Sequence, residues 1–329
     1  MPAETVQVGT VGRLLALKKL PMLGTLPAEE LAFIAERARE RVLPRGSVLC
    51  REGEPIDALR FVVDGRVHMS RRGLPLGHAR GGAPVGGLGV LARDSDGIEA
   101  VAELDSLVLE VDADDVFEIL EDRFAILHHI LREVSREIIR VVTRLPPGAT
   151  PPFPRIEGLL PPSDLDLVER ILFLRQAPVF SKSSINALAE LSRGLAEVSF
   201  DPGVTLWREG EGAGAIFLLL SGRVRGTTGG GMAFGSGAGI PLGAIESFAE
   251  RPRWFHAVTA SKVVALHGHV EGFIDVFEDN ADMALEYLAV ASRSLLEMLE
   301  KLAEGALERF YGCDDPRTEP RSKDEVSPA

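Results

Sequence analysis

Arg251-Pro252-Arg253-Trp254 sets two guanidinium groups and an indole within four residues, shortly after Leu242-Gly243-Ala244-Ile245. A guanidinium offers a planar fork of donors that suits phosphate or carboxylate, and an indole offers a flat face to a purine. The chemistry these residue types suggest is anion recognition rather than bond making. Arg51 and Arg208 each stand in an Arg-Glu-Gly-Glu turn and read as solvated turn residues. His267 and His269 would share one strand face and could ligate a metal, but no cysteine or acidic residue has matching spacing. No metal site is therefore expected. His128-His129 reads as a helical pair at a surface or interface. Gly229-Gly230-Gly231 centres a glycine-rich stretch over 226–239 without the Lys-Ser/Thr of a phosphate-binding loop, so a hairpin is expected. No Ser/His/Asp set or paired carboxylates stand out. Accordingly no catalytic residue is assigned, and the chain reads as no enzyme.

The elements that must position these residues occur twice. Arg51-Glu52-Gly53-Glu54 leads through Ala58–Val63 to Asp64-Gly65-Arg66-Val67, and Arg208-Glu209-Gly210-Glu211 leads through Ala215–Leu220 to Ser221-Gly222-Arg223-Val224. The copies lie 157 residues apart, and the offset holds without a gap: Val11, Arg13, Leu15 and Pro21 meet Val168, Arg170, Leu172 and Pro178, while Glu121-Asp122 meet Glu278-Asp279. Register kept over such a distance marks an internal duplication.

The totals agree with two ordinary domains. The chain has 329 residues, 45% hydrophobic and 26% charged, and no apolar run reaches the ~18 residues that span a bilayer. With a net charge of -13 and no dense Lys/Arg cluster, a nucleic-acid backbone would be repelled. Cys50 and Cys313 lie far apart in unlike contexts, which suggests free thiols, and with no signal-peptide pattern the expected location is cytoplasmic.

Residues 1–9 read as a disordered lead. In the first domain, 10–145, a helix from Val11 stops at Pro21 and another starts at Pro27. Short apolar runs then alternate with Gly, Pro and Asp turns to about Glu110, as in a β-sandwich or barrel. Helical spacing returns with the seam Leu127, Leu131, Val134, Ile138 and Val141. Residues 146–164 carry a proline-rich linker. The second domain, 165–311, repeats the plan and ends in one long helix from about Phe273 to Phe310, with the seam Leu288, Ala291, Leu295, Met298 and Leu302. Residues 312–329 read as a disordered tail. The fold class is mainly β with α: two tandem β-roll domains, jelly-roll-like, each flanked by helices. Gly46, Gly53, Gly65, Gly203, Gly210 and Gly222 are assigned to turns that need positive φ or close backbone approach.

On these residues each repeat resembles the cyclic nucleotide-binding domain of bacterial cAMP-dependent regulators and cyclic nucleotide-gated effectors. The likeness rests on Lys18–Leu23 and Arg175–Phe180 at the helix ends, on Pro44-Arg45-Gly46, on the Glu-Gly turns, and on strands closing at Asp64-Gly65 and Ser221-Gly222. It implies a phosphate-binding cassette, in which a Phe-Gly-Glu-Leu-Ala helix start and an Arg-Ala-Ala-Thr-Val segment hold the cyclic phosphate and the ribose. In the first repeat the matching stretch is Gly86-Gly87-Leu88, with Gly87 at the Glu place and Gly97 at the Arg place. In the second it is Gly243-Ala244-Ile245, with Ala244 at the Glu place, Trp254 at the Arg place, and Arg253 one residue off and facing solvent. Glycines 86, 87 and 89 are expected to weaken the first short helix by about 1 kcal/mol each.

The resemblance therefore implies a non-enzymatic regulatory protein whose degenerate cassettes bind a cyclic nucleotide weakly, atypically or not at all, without another cofactor, and which acts through a protein partner. The alternatives are a cAMP-receptor-type transcription regulator, or a true cyclic nucleotide sensor working through the second domain. Neither nucleic acid nor membrane is an expected partner. The two seams point to an intrachain pseudo-dimer or a homodimer.

Overall fold

The computed structural model describes residues 9–20, 22–145 and 164–311, with side chains through Glu304. The stop at Pro21, the lead over residues 1–8, the proline-rich stretch through Ser163, the tail from 312 and Cys313 lie outside the described residues.

The first repeat opens with α1 (Thr10–Lys18) and α2 (Ala28–Arg37). The strands β1 (Arg39–Leu43), β2 (Val48–Cys50), β3 (Ala58–Asp64), β4 (Val67–Arg71), β5 (Leu74–Ala79) and β6 (Pro84–Val85) follow. A short helix α3 (Gly87–Ala92) precedes β7 (Glu99–Ala102), β8 (Ser106–Asp112), α4 (Ala113–Asp122) and α5 (Phe124–Val142). The second repeat runs through α6 (Leu167–Gln176), α7 (Ile185–Arg193), β9 (Ala196–Phe200), β10 (Thr205–Trp207), β11 (Ala215–Ser221), β12 (Arg223–Thr227), β13 (Ala233–Gly237) and β14 (Pro241–Leu242). It closes with α8 (Ala244–Ala249), β15 (His256–Thr259), β16 (Val263–His269), α9 (Val270–Asp279) and α10 (Ala281–Tyr311).

Each repeat folds its strands into two antiparallel sheets, ordered β1-β8-β3-β6 and β2-β7-β4-β5 in the first and β9-β16-β11-β14 and β10-β15-β12-β13 in the second. The strand orders are the same, so the two halves are tandem β-rolls of one topology. Local chemistry sets the boundaries. Asp166 and Glu169 form a reciprocal capping box at the start of α6, and Ser184 caps α7. Gly65 and Gly222 turn the chain at φ +95° and +87°, where an added Cβ would lie 2.6 Å from the Ser106 Cα or 2.8 Å from the Val263 Cα. Gly46, Gly53, Gly203 and Gly210 also hold positive φ.

One expectation needs correction. The helical segment after the second roll is two helices, not one. Asn280 leaves helical geometry (φ −137°, ψ 74°), as Arg123 does in the first repeat (φ −129°, ψ 84°), and the chain changes direction between α9 and α10. The apolar spacing continues across that break because both helices bury an apolar face, α9 on β16 and α10 on α5 and α3, so periodicity alone did not reveal it.

The two long helices, α5 and α10, pack against each other, and each also crosses to the other half: α10 lies on α3 and α5 on α8. Leu127, Leu131, Val134, Ile138 and Val141 are buried, as are Leu288, Ala291, Leu295 and Met298, while Leu302 is half-buried. Among the described residues, no helix is long and apolar enough to cross a membrane.

Candidate functional site: two unequal cassettes

Both cassettes are made the same way. A two-residue strand pairs with the central strand of its sheet, then a glycine at positive φ swings the chain into the short helix: Gly86 at +79° before α3 and Gly243 at +84° before α8. A side chain at either place would collide, 2.7 Å from Ile56 Cγ2 or 2.8 Å from the Ala215 carbonyl. The expected weakness of α3 does not prevent it from forming. Gly86 and Gly89 let Ile56 pack directly against the helix, and Arg293 of α10 donates to the Ala92 carbonyl at its C-terminal end (3.1 Å). Tertiary contacts offset the low propensity of glycine.

The C-terminal bond has a counterpart. Arg136 of α5 donates to the Ala249 carbonyl at the end of α8 (3.0 Å). Arg136 and Arg293, like Ala92 and Ala249, stand 157 residues apart, so each long helix caps the short helix of the other repeat. Ion pairs reinforce both ends: Glu250 faces Arg132 (3.4 Å) and Arg136 (3.7 Å), and Arg93 faces Glu286 (3.7 Å).

In the first cassette, Gly87 and Leu88 give no charged side chain. The residue that occupies the place of Arg253 is Asp96, one before Gly97, which corrects the sequence alignment. Asp96 pairs with Arg72 (2.8 Å), and Gly97 gives its carbonyl to Arg71 (2.7 Å). Arg71 is 5% exposed and also binds Asp94 and Glu300 of α10. Burial alone would raise the Asp94 pKa, but its bonds to Arg71 outweigh this and hold it below the usual carboxylate value. Inside the roll, Arg60 is likewise enclosed. It contacts Glu110 (2.6 Å), Asp57 (2.9 Å) and the Cys50 sulfur (3.7 Å). Burial pushes the Cys50 thiol up, so this buried free cysteine is poorly nucleophilic.

In the second cassette the arginine turns inward. Arg253 is 3% exposed, donates to the carbonyls of Gly243 (3.0 Å) and Ala215 (2.6 Å), and lies over the Trp207 ring at 4.1 Å. The expectation of a solvent-facing Arg253 is therefore wrong. Residues 251–255 precede β15 in irregular backbone, so strand alternation does not govern which way Arg253 points. Trp254 is buried and stacks on Phe234 at 5.3 Å. Ala244 is buried and Ile245 half-buried.

Glu246 of α8 was not singled out from the sequence. It is 2% exposed, its nearer oxygen is 4.0 Å from Arg253, and its Oε1 has no hydrogen-bond partner. Burial pushes its pKa up, only partly countered by Arg253. The space beside this cassette, bounded by Gly243, Ala244, Glu246, Phe234 and Trp254, amounts to about 70 Å³, well below the ~300–1,000 Å³ of ordinary ligand pockets.

His267 and His269 share a strand face as expected, their ring centroids 5.1 Å apart. His267 lies half-buried against Phe217 and His269 is exposed. His129 is buried and bonded to the Met22 carbonyl (2.6 Å). A three-donor group forms elsewhere, where His68, His78 and Glu103 bring ligand atoms within 4.8 Å of one another. Glu103 is already paired with Arg66 (2.6 Å) and His78 (3.2 Å). Spacing could not show this group, because cross-strand pairing makes it.

Set beside known proteins, residues 40–123 match the family model described as the cyclic nucleotide-binding domain. Uncharacterized NTE family proteins of Mycobacterium bovis and Mycobacterium tuberculosis are 27% identical over 150 residues, 45% of this chain and 25% of theirs. A cGMP-dependent protein kinase of Caenorhabditis briggsae is 22% identical over 212 residues, 64% of this chain and 23% of its own. The chain thus spans about a quarter of the length of these relatives. Among solved structures, the regulatory subunit of a cAMP-independent protein kinase A from Trypanosoma brucei is 16% identical, covering 85% of this chain and 91% of that one at a TM-score of 0.32. The cAMP-bound regulatory domain of Toxoplasma gondii PKA is 14% identical, covering 91% and 97% at a TM-score of 0.32.

Proposed function

We propose that this chain, a regulatory-type protein of the cyclic nucleotide-binding domain family, is a non-enzymatic regulator whose two cassettes no longer hold a cyclic nucleotide in the usual way. It acts instead through a protein partner. The observation that carries this reading is the fate of Arg253, whose guanidinium is satisfied by two backbone carbonyls and enclosed beside Glu246. The corresponding residue in the first repeat is Asp96, of the opposite charge. A cyclic phosphate would have to break the Arg253 bonds and meet a buried carboxylate, and charge-assisted bonds contribute roughly 1.5–3 kcal/mol each. The packing of α5 on α10 supports an intrachain pseudo-dimer as the working form, with the two repeats as its unequal halves.

Isothermal calorimetry of the full chain with cAMP and cGMP tests this. The expected result is no binding at micromolar nucleotide. The inward, cassette-facing position of Arg253 favours a second reading, a nucleotide sensor working through the second domain. One-site binding that Arg253→Ala abolishes would establish that reading and displace the first. Light scattering gives the assembly: a mass near 35.5 kDa is expected for the pseudo-dimer, and a doubled mass would mean a homodimer.

A further inference from the structure

The first repeat contains a cavity of about 500 Å³ between its roll, α4, α5, the outer side of α3 and α10 of the second repeat. Leu59 and Phe61 line it, and they alternate along β3 with Arg60 and Val62. The cavity therefore lies on the opposite face of β3 from Arg60 and the roll interior. It shares Gly87 and Leu88 with the first cassette but lies behind the sheet, away from the roll interior.

The duplication supplies an internal control. Leu23, Leu91, Val116, Leu120 and Ile130 line the cavity. Their counterparts 157 residues on are Phe180, Phe248, Phe273, Phe277 and Tyr287. In the second repeat Phe248, Phe277 and Tyr287 pack ring against ring at 4.7–5.7 Å, and all five residues are buried. Among the apolar lining residues the first repeat is the larger at Met22, Phe61, Val111, Ile119 and Val134, opposite Val179, Leu218, Gly268, Val276 and Ala291, but none of these adds a ring to the second repeat's cluster. The same backbone plan is thus filled with aromatic rings in one half and left hollow in the other. Protein interiors do not ordinarily leave so large a space, since its walls forgo dispersion contacts.

We propose that this cavity binds a long-chain carboxylic acid of the fatty-acid class. Its walls are aliphatic, with Phe61 the sole aromatic residue among those described. They suit a methylene chain and offer nothing to a nucleotide or to a planar ring system that needs stacking. The polar lining is Glu133, Glu137 and Arg140, at helical spacing along α5. Glu133 is engaged by Arg136 (2.7 Å), and Glu137 by Arg140. Arg140 is largely exposed and has more donors than one carboxylate uses, so it can take a second, that of the ligand. Leu88 and Leu91 of α3 and Leu295 and Leu299 of α10 share the walls, which makes the ligand a contact between the first cassette and the second repeat.

The test uses delipidated full-length protein, cis-parinaric acid as fluorescent probe, and palmitate, hexadecanol and cAMP as competitors. One probe should bind per chain, with palmitate displacing it and cAMP failing to. Leu120→Phe with Ile130→Tyr copies the second repeat and should weaken probe binding by about tenfold or more, about 1.4 kcal/mol, while the ligand-free melting temperature holds or rises. Arg140→Ala, on the surface, should weaken palmitate several-fold and leave hexadecanol unchanged, and it serves if the filled variant does not fold. The proposal is overturned if the wild type takes up no probe, as when another part of the chain covers the cavity. It is equally overturned if the filled variant binds as the wild type does, or if Arg140→Ala leaves palmitate binding intact.

Discussion

Glu246→Gln should make the protein more stable at alkaline pH, and more so the higher the pH. Glu246 is 2% exposed, one of its oxygens is unpartnered, and its distance to Arg253 is 4.0 Å, too long for a hydrogen bond. Two effects oppose. Removing a partner from a buried ion pair commonly destabilises by ~3–5 kcal/mol, because the other charge is stranded. Here the stranded charge is not bare: Arg253 keeps its two backbone carbonyls and the Trp207 face. The cost of burying the carboxylate therefore dominates, and burial holds its pKa above the usual carboxylate range. The sign follows. Between the unfolded and folded pKa values the native state keeps a proton that the unfolded chain has lost, so wild-type stability falls as pH rises through that window. The slope reaches at most about 1.4 kcal/mol per pH unit for one proton. Gln does not titrate. The two proteins should have similar stability below pH ~4.5 and diverge above it, the variant gaining about 1–2 °C in melting temperature for each 1 kcal/mol. Urea unfolding and thermal melts from pH 4.5 to 8.5 measure the divergence. Parallel curves, or a variant less stable than the wild type at pH 8, would show that Glu246 is a paired anion and that burial does not govern it.

Two other perturbations probe the contact between the halves. Arg136→Ala and Arg293→Ala each remove a cation from a helix C-terminus and should cost ~0.5–2 kcal/mol. If the caps are equivalent, urea midpoints will shift by similar amounts, and a silent variant would mean that its bond adds nothing. Leu131→Asp places an unpaired charge in a fully buried seam and should destabilise the chain by ~4 kcal/mol or more, seen as an early melt at unchanged monomer mass. A wild-type melt would remove the α5–α10 seam from the account.

The fold was readable because it rests on repeated local signals. The Glu-Gly turns and the alternation of short apolar runs recur at one offset, and both rolls follow it from β1 and β9 onward. The reciprocal caps were not readable: Arg136 and Arg293 obey the same offset, but nothing in the sequence says which carbonyl an arginine will reach. The cassette side chains were not readable. Whether Arg253 faces in or out depends on irregular backbone before β15, where no period applies. The burial of Glu246 was not readable either, because α5, α9 and the second roll close over α8 from distant parts of the chain. The cavity is a difference of side-chain volume between equivalent positions, and such a difference emerges only when the two repeats are packed on the same plan.

The crossed packing of α5 and α10 has a consequence for how the halves can change. In a symmetric pair of identical chains, every substitution appears at two places at once, and a residue that improves one role burdens both copies. Here the two partners are segments of one polypeptide, so their encounter does not depend on dilution, and a replacement in one half leaves the other untouched. Tethering thus frees the two copies to specialise. One has filled its helix-facing space with phenylalanine and tyrosine and closed its arginine into the cassette. The other has kept a hollow behind Leu88 and Leu91 and a loop tied to Glu300 of its partner's helix. Whatever fills or leaves that hollow acts on one half alone, against the filled interior of the other.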